Sequence, residues 1–249
     1  MKALILAAGY ATRLYPLTEN FPKPLLPVAD RPIVAYLIEK LEEVSEVDHV
    51  YLVTNDRFAD HFRAWSAIAP TKLAITVLND GTKTNEDRLG AIGDIEFTIR
   101  TAQLTQEELI VLAGDNLFDF SLKGFVESYR RHPSFTAAVT VHELDDVAAL
   151  RRTGVATLGS DGRVTSFVEK PSEPASNLAV PPFYIFGRGI GARIREYLSQ
   201  GGNRDDPGFL LEWLVKQTRV YGYRFDGRRY DIGDLESYRR TQAIFSDRT

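Results

Sequence analysis

Cysteine is absent from the 249 residues. That removes disulfides, thiolate nucleophiles, cysteine zinc sites and iron–sulfur clusters together. Histidine is scarce: His49, His61, His132 and His142 are scattered, with no pair at metal-ligand spacing. A catalytic metal would therefore need carboxylate ligands, which suit a hard cation such as magnesium. Excess positive charge is also missing. Lys and Arg number 30 against 34 Asp and Glu, a net charge of −4, so no nucleic-acid partner is expected. No run reaches the ~20 apolar residues of a membrane span, and no membrane partner is expected. The short apolar stretch at the start turns directly into a loop with Gly9 and Arg13, unlike a signal peptide. A cytoplasmic protein is the expectation. With 18 Gly and 12 Pro, usage is ordinary and excludes a low-complexity chain.

What is there is strand-length apolar runs at regular intervals. They fall at 2–7, Val50–Thr54, Leu73–Leu78, Leu109–Leu112 and Phe135–Val141. Helical spacing appears at Ile33–Leu41, Asp56–Ala67 and Leu122–Arg131. Alternating strands and helices predict an α/β fold with an open parallel sheet. Ligands in such sheets bind beyond the carboxyl ends of the strands, here the loops after Ala8, Leu78 and Ala113. The second half differs. Gly154–Leu158 and Arg163–Val168 flank Ser160-Asp161-Gly162, a hairpin signal. Phe183–Phe186 and Val220–Phe225 read as strands, and 189–200 and 208–219 as helices. This half is expected to extend the sheet and supply one wall of a cleft. A single domain over 1–249 is expected, with halves of about 1–145 and about 146–249.

The first loop runs Leu6-Ala7-Ala8-Gly9-Tyr10-Ala11-Thr12-Arg13-Leu14. Small residues there let backbone N–H groups approach an anion, and Arg13 adds a guanidinium. It is neither a Walker A loop nor G-x-G-x-x-G, and an ordinary strand-to-helix turn remains an alternative. Lys23 follows between Pro22 and Pro24, a setting that predicts a stiff, extended segment aiming a point charge. An exposed lysine in a proline turn is the other reading. Asp115, after Gly114, reads either as a site residue at a strand end or as a helix cap. Asp231 reads as a site residue or a turn residue before Gly233.

Taken together, these segments resemble the signature of the sugar-1-phosphate nucleotidyltransferases, the nucleotide-sugar pyrophosphorylases that include glucose-1-phosphate thymidylyl- and uridylyltransferases. L-A-A-G-x-x-T-R-L is followed by Lys23-Pro24-Leu25-Leu26-Pro27-Val28, Gly114-Asp115-Asn116, Glu169-Lys170-Pro171, Ser176-Asn177-Leu178-Ala179-Val180 and Tyr230-Asp231-Ile232-Gly233. The order is kept from Lys2 to about Arg240. The resemblance implies a three-layer sandwich with a mixed, mostly parallel sheet and a Rossmann-like N-terminal half, the nucleotide-diphospho-sugar transferase fold. It implies a magnesium-dependent transfer of a nucleotidyl group from a nucleoside triphosphate to a hexose 1-phosphate. Of the triphosphates, dTTP or UTP is expected, because an amide such as that of Asn79 can donate and accept toward a pyrimidine edge. Arg13, Lys23, Asp115 and Asp231 are the implied catalytic residues, with Asp115 and Asp231 holding Mg2+. Leu6, Ala8, Gly9, Tyr10, Ala11, Thr12, Arg13, Lys23, Gly90 and Asp115 are the implied nucleotide contacts, and Asn79 and Arg88, which depart from the family pattern, are expected to join them. Gly154, Glu169, Lys170, Asn177 and Val180 are the implied sugar-phosphate contacts. Asp119 and Asp234 fall outside the matching positions.

Three departures stand out. Ala11 occupies a position where the family usually has glycine, and is expected to take an ordinary backbone conformation. The polar loop 79–90 replaces a Gly-rich base-reading turn. There Asn79 is expected to read the base edge, and Arg88 to meet a base, a phosphate or a nearby carboxylate. The chain ends soon after Asp231, as expected of a minimal catalytic domain, and a homo-oligomer is left open. The alternatives are transfer to a choline- or polyol-phosphate, a non-catalytic homologue that binds nucleotide sugar, and a dinucleotide-binding oxidoreductase. The last lacks its glycine fingerprint here.

Overall fold

A computed structural model describes residues 1–246; the end of the expected domain, 247–249, lies outside the described residues. In chain order the elements are β1 (Lys2–Leu6), β2 (Pro27–Val28), β3 (Arg31–Pro32), α1 (Ile33–Glu42), β4 (His49–Thr54), α2 (Ala59–Ser66), β5 (Ala74–Asn79) and α3 (Ala91–Thr101). Then come β6 (Leu109–Ala113), β7 (Asn116–Phe118), α4 (Leu122–Arg130), β8 (Ala137–Glu143), α5 (Val147–Leu150), β9 (Gly154–Leu158), β10 (Val164–Glu169), β11 (Leu178–Val180) and β12 (Phe183–Phe186). The last are α6 (Ile190–Ser199), α7 (Pro207–Gln217), β13 (Val220–Arg224), β14 (Arg229–Asp231) and α8 (Leu235–Ser246). The expected α/β class is found.

The chain divides into two units that do not follow sequence halves. The first comprises Lys2–Leu89, Leu112–Leu122 and the chain from Gly227; the second comprises Gly90–Val111 and Lys123–Asp226.

In the first unit β1 pairs β4 and β4 pairs β5, all parallel, with Lys2 opposite His49 and His49 opposite Ala74. Ala3, Leu4 and Ile5 are fully buried, as a strand covered on both faces requires. On α1, Ile33, Val34, Leu37, Ile38 and Leu41 are buried at helical spacing. A small apolar cluster of Leu14, Leu26, Val28, Ile33, Leu117 and Ile232 ties together four segments distant in sequence. Each of those segments carries a charged residue singled out above: Arg13, Lys23, Asp115 and Asp231. Burial of the cluster thus fixes the segments on which the charges stand.

In the second unit β8 is central. It pairs β12 and β11 antiparallel and β13 parallel, while β9 pairs β10 and β11 antiparallel. The expected hairpin is present, with Gly162 at φ +79° in its turn.

Several local expectations change. Lys23 is not on an extended segment: only Pro22 is extended, and Lys23–Leu25 forms a single 3-10 turn with Pro24 inside it. Asp115 caps no helix; it leads into β7, which pairs antiparallel with β14. Asp231 is a strand residue of that ladder rather than a turn residue. Helix α2 begins at Ala59, later than the expected Asp56. Ala11 adopts the left-handed conformation, φ 48° and ψ 41°.

That last conformation costs a non-glycine residue roughly 1–2 kcal/mol, against roughly 0.5–1 kcal/mol of extra chain entropy for glycine. Ala11→Gly is therefore expected to stabilise the protein by about 0.5–1 kcal/mol. Thermal denaturation should show a midpoint higher by roughly 1–4 °C; a lower midpoint would mean that the strain is absent in solution.

Candidate active site

The loop after β1 is anchored through its carbonyls. Asn55 donates its amide to the Ala8 carbonyl at 2.9 Å, and the Ala7 N–H donates to Val53 at 2.9 Å. Leu6 is half-buried, Ala8 and Tyr10 are buried, and Gly9 is exposed with open space above it. The Ala11 carbonyl accepts from the Leu14 N–H and the Thr18 hydroxyl, closing the turn that presents exposed Thr12 and Arg13.

Lys23 is 8% exposed. Its ammonium donates to Asp115 Oδ2 at 2.6 Å. Asn116 donates to the other oxygen, Oδ1, at 2.7 Å. Gly114 lets the chain beside Asp115 lie close to β1: its N–H donates to the Leu6 carbonyl at 2.9 Å, and a Cβ there would stand 2.7 Å from that oxygen. Desolvation works against the charged form of Asp115, but the Lys23 charge and the hydrogen bonds from Lys23 and Asn116 prevail and hold it below the usual carboxylate range.

The β7–β14 ladder sets Asp231 opposite Asn116, and the Ile232 N–H donates to the Asp115 carbonyl at 3.3 Å. Asp231 is held above its ordinary value by desolvation and by the Asp115 charge, with Arg229, Lys23 and Arg13 opposing. The structure thus brings together all four residues expected to be catalytic. It adds a fifth charge, Arg229, whose Nη2 lies 3.5 Å from Asp231 Oδ2. Sequence reasoning missed Arg229. The available signal was its place two residues before Asp231, on the same face of a strand. Asp119 accepts from the Arg228 N–H, and Asp234 accepts from the Ser237 N–H at the start of α8, so both have structural partners.

The loop after β5 is a chain of side-chain-to-backbone turns. Asn79 donates to Asp56 at 2.7 Å and accepts from the Gly81 N–H at 2.8 Å. Asp80 accepts from Thr82, and Asp87 accepts from the Lys83 and Thr84 N–H groups. The Asn79 amide thus has one donated and one accepted bond within the protein, and keeps a second N–H and a second lone pair for a base edge. Arg88 is exposed and donates to the Asn85 carbonyl.

In the second unit, Gly90 caps α3 at φ +78°, and a Cβ there would stand 2.5 Å from the Arg204 carbonyl oxygen. Its role in the structure is a close backbone approach. Gly154 faces Glu169 across β9–β10 and Val180 across β9–β11. Lys170 follows in the left-handed region, φ 49°, and its ammonium meets Asp206 at 2.6 Å. Glu169, Lys170, Gly154 and Val180 are thus neighbours. Asn177 precedes β11 at the opposite end from Val180; its side chain is exposed and its carbonyl accepts from the Leu144 N–H.

Among the described residues, no helix is long and apolar enough to cross a membrane. They also contain no group of three or more His, Asp or Glu placed to hold a metal.

Comparison with known proteins adds to this geometry. The chain is 30% identical over 237 residues to the bifunctional protein GlmU of Methanocaldococcus jannaschii, covering 94% of this chain and 51% of that protein. It spans 51–62% of the length of three of the relatives it matches. A UTP–glucose-1-phosphate uridylyltransferase of Haloferax volcanii, AglF, is 30% identical over 259 residues and is matched nearly end to end, with 100% of this chain and 98% of that protein covered. The crystal structure of a UDP-glucose pyrophosphorylase with UDP-glucose has the same fold, with a TM-score of 0.82 at 24% identity over 100% of this chain and 99% of that one. The family model described as nucleotidyl transferase matches residues 2–247, and the chain belongs to that family.

Proposed function

We propose that the protein joins a nucleoside triphosphate to a sugar 1-phosphate, releasing pyrophosphate. The observation that carries this reading is the buried Lys23 ammonium held 2.6 Å from Asp115, with Asp231 beside it. A phosphate oxygen of the sugar attacks the α-phosphorus in line, and pyrophosphate leaves. Both reactants are anions, so positioned cations and excluded water do the work, with no protein nucleophile.

Arg13 and Lys23 neutralise the triphosphate, and the loop Leu6–Thr12 and Asp115 line its site. Lys170 meets the sugar phosphate. Its bond to Asp206 joins two half-exposed partners and contributes little to stability, so Lys170 can exchange Asp206 for a phosphate. Glu169, together with the backbone of Gly154 and Val180, faces the sugar hydroxyls. The exposed Asn177 side chain is a further candidate contact for the sugar hydroxyls.

Asp115 and Asp231 fit a magnesium ion. Two neighbouring carboxylates, one raised by the charge of the other, gain from a shared divalent cation, and magnesium is commonly held by one or two carboxylates plus substrate phosphates. When bound, it would supply positive charge at the α-phosphate. Lys23 keeps Asp115 ionised for that role.

The preferred triphosphate is UTP or dTTP, in line with the uridylyltransferase relative. The test is a matrix of nucleoside triphosphates against sugar 1-phosphates, read by pyrophosphate release. UTP or dTTP with a hexose 1-phosphate should give the fastest release. Better turnover with purine triphosphates would overturn the base assignment, and faster release with choline phosphate would overturn the sugar assignment. Release with no pair would overturn the activity.

A further inference from the structure

The carboxyl of Glu169 occupies space that two side chains would otherwise fill. A Cβ on Gly208 would stand 1.7 Å from Glu169 Oε2 and 2.4 Å from its Cδ, and a Cβ on Gly154 would stand 2.9 Å from Oε2. The two glycines differ in what else they touch. At Gly154 the nearest atom is the Phe167 ring, at 2.3 Å, so that glycine also serves packing. At Gly208 the three nearest atoms all belong to Glu169. Gly208 is the second residue of α7, after the cap Asp206 and Pro207. Alanine is the better helix former at such a position. The missing side chain therefore works against the helix and makes room for one carboxyl.

That carboxyl does not rest easily in its place. Burial pushes Glu169 up to about 7, with Lys170 opposing and Asp206 and Glu212 adding to the rise. A glycine on each of two elements leaves room for the same carboxyl, and a local choice made against helix propensity in favour of a polar group is the mark of a functional placement.

We propose that Gly208 is a positioning residue: its bare Cα lets the Glu169 carboxyl lie against the first turn of α7, and this fixes the direction in which Glu169 meets a sugar hydroxyl. The proposal rests on the reading of Glu169 as a sugar contact. It places the specificity for sugar hydroxyls partly on α7, away from the sequence motif that contains Glu169.

The experiment compares full-length Gly208→Ala, Glu169→Ala and the double variant. Gly208→Ala leaves only the flexible end of Glu169 to move, so the fold should persist with an unchanged or higher melting temperature. Its KM for sugar 1-phosphate should rise about tenfold, as for one lost hydrogen bond, with the KM for triphosphate little changed. In the Glu169→Ala background, Gly208→Ala should add nothing.

A second readout is independent of turnover. The folded carboxyl binds its proton more tightly than the unfolded one, so Glu169 contributes stability that is full below about pH 4.5 and lost as pH rises through about 7. The groups facing it are Lys170, Asp206 and Glu212. Gly208→Ala releases the carboxyl and should shrink this loss, flattening melting temperature against pH between 5 and 8. If Glu169→Ala raises the sugar-phosphate KM and Gly208→Ala does not, the positioning proposal fails. If Glu169→Ala leaves that KM unchanged, the sugar-contact reading fails instead, and the pH profile alone decides whether Gly208 holds the carboxyl.

Discussion

Asp115→Asn and Asp231→Asn are each expected to lower turnover by ~10²–10³-fold, equivalent to ~3–4 kcal/mol of transition-state stabilisation. An amide keeps the shape of the carboxylate but loses the charge that a hard divalent cation requires. The two variants should part company in stability. Asp115 sits 2.6 Å from a buried ammonium, so Asp115→Asn leaves Lys23 without its counter-charge and destabilises the fold. Asp231 is instead held above its ordinary value by desolvation and by Asp115. Its replacement by a neutral amide relieves that repulsion, and Asp231→Asn should be no less stable than the native protein. Steady-state turnover and thermal denaturation on the same preparations check both statements. Turnover within tenfold of native in either variant would remove that residue from the metal site. Equal destabilisation of both would contradict the charge assignment.

Lys23→Met should have the largest effect on stability. The side chain is 8% exposed, and methionine matches its length without its charge. Removing one partner of a fully buried ion pair costs about 3–5 kcal/mol, because the other charge is left uncompensated. The Asp115 side chain is 35% exposed and water screens part of its charge, so a loss of about 1–3 kcal/mol is expected. Asp115 would then keep the repulsion of Asp231 without the Lys23 charge that opposes it. For a chain of this length the loss corresponds to a melting temperature lower by roughly 2–12 °C. The pH dependence has a definite sign. In the native protein Asp115 is held below its ordinary value. The pair therefore contributes stability above the ordinary carboxyl range and loses it as pH falls through the lowered value. The deficit of Lys23→Met should thus be full at neutral pH and shrink in acid, where Asp115 can take up a proton. A deficit independent of pH would point to lost packing rather than lost charge. Turnover should fall together with stability, since the same ammonium is assigned to the triphosphate.

Much of the fold was legible because burial is periodic along the chain. Continuous apolar runs such as 2–7 and Leu109–Leu112 are what parallel strands covered on both faces require, and the spacing of Ile33, Leu37, Ile38 and Leu41 is that of one helix face. The order of charged motifs located Arg13, Lys23, Asp115 and Asp231, and the structure joins them through one apolar cluster. The pattern alone did not reveal how they are joined. Two prolines around Lys23 suggested an extended arm, whereas the side chain turns inward on a 3-10 turn. The gain from pairing a buried ammonium with Asp115 is a tertiary term that local propensity does not contain.

The same division holds at the remaining positions. Sequence by itself determined most of the longer strands and helices, the family signature and the residues that carry charge, because these depend on neighbours a few positions apart. The short β7, β11 and β14 were not legible in it. Only the tertiary structure decided which distant partners those residues meet. The β7–β14 register sets Asp231 opposite Asn116, next in the chain to Asp115, and brings in Arg229. Asp56 and the Gly81 N–H engage the Asn79 amide. The turn closed by Leu14 and Thr18 holds Ala11 in a conformation alanine disfavours. Gly208, which sequence shows only as a poor helix former, becomes the space for the Glu169 carboxyl once α7 lies on β10. Register, close approach and charge pairing each depend on residues far apart in the chain, so no local pattern can encode them.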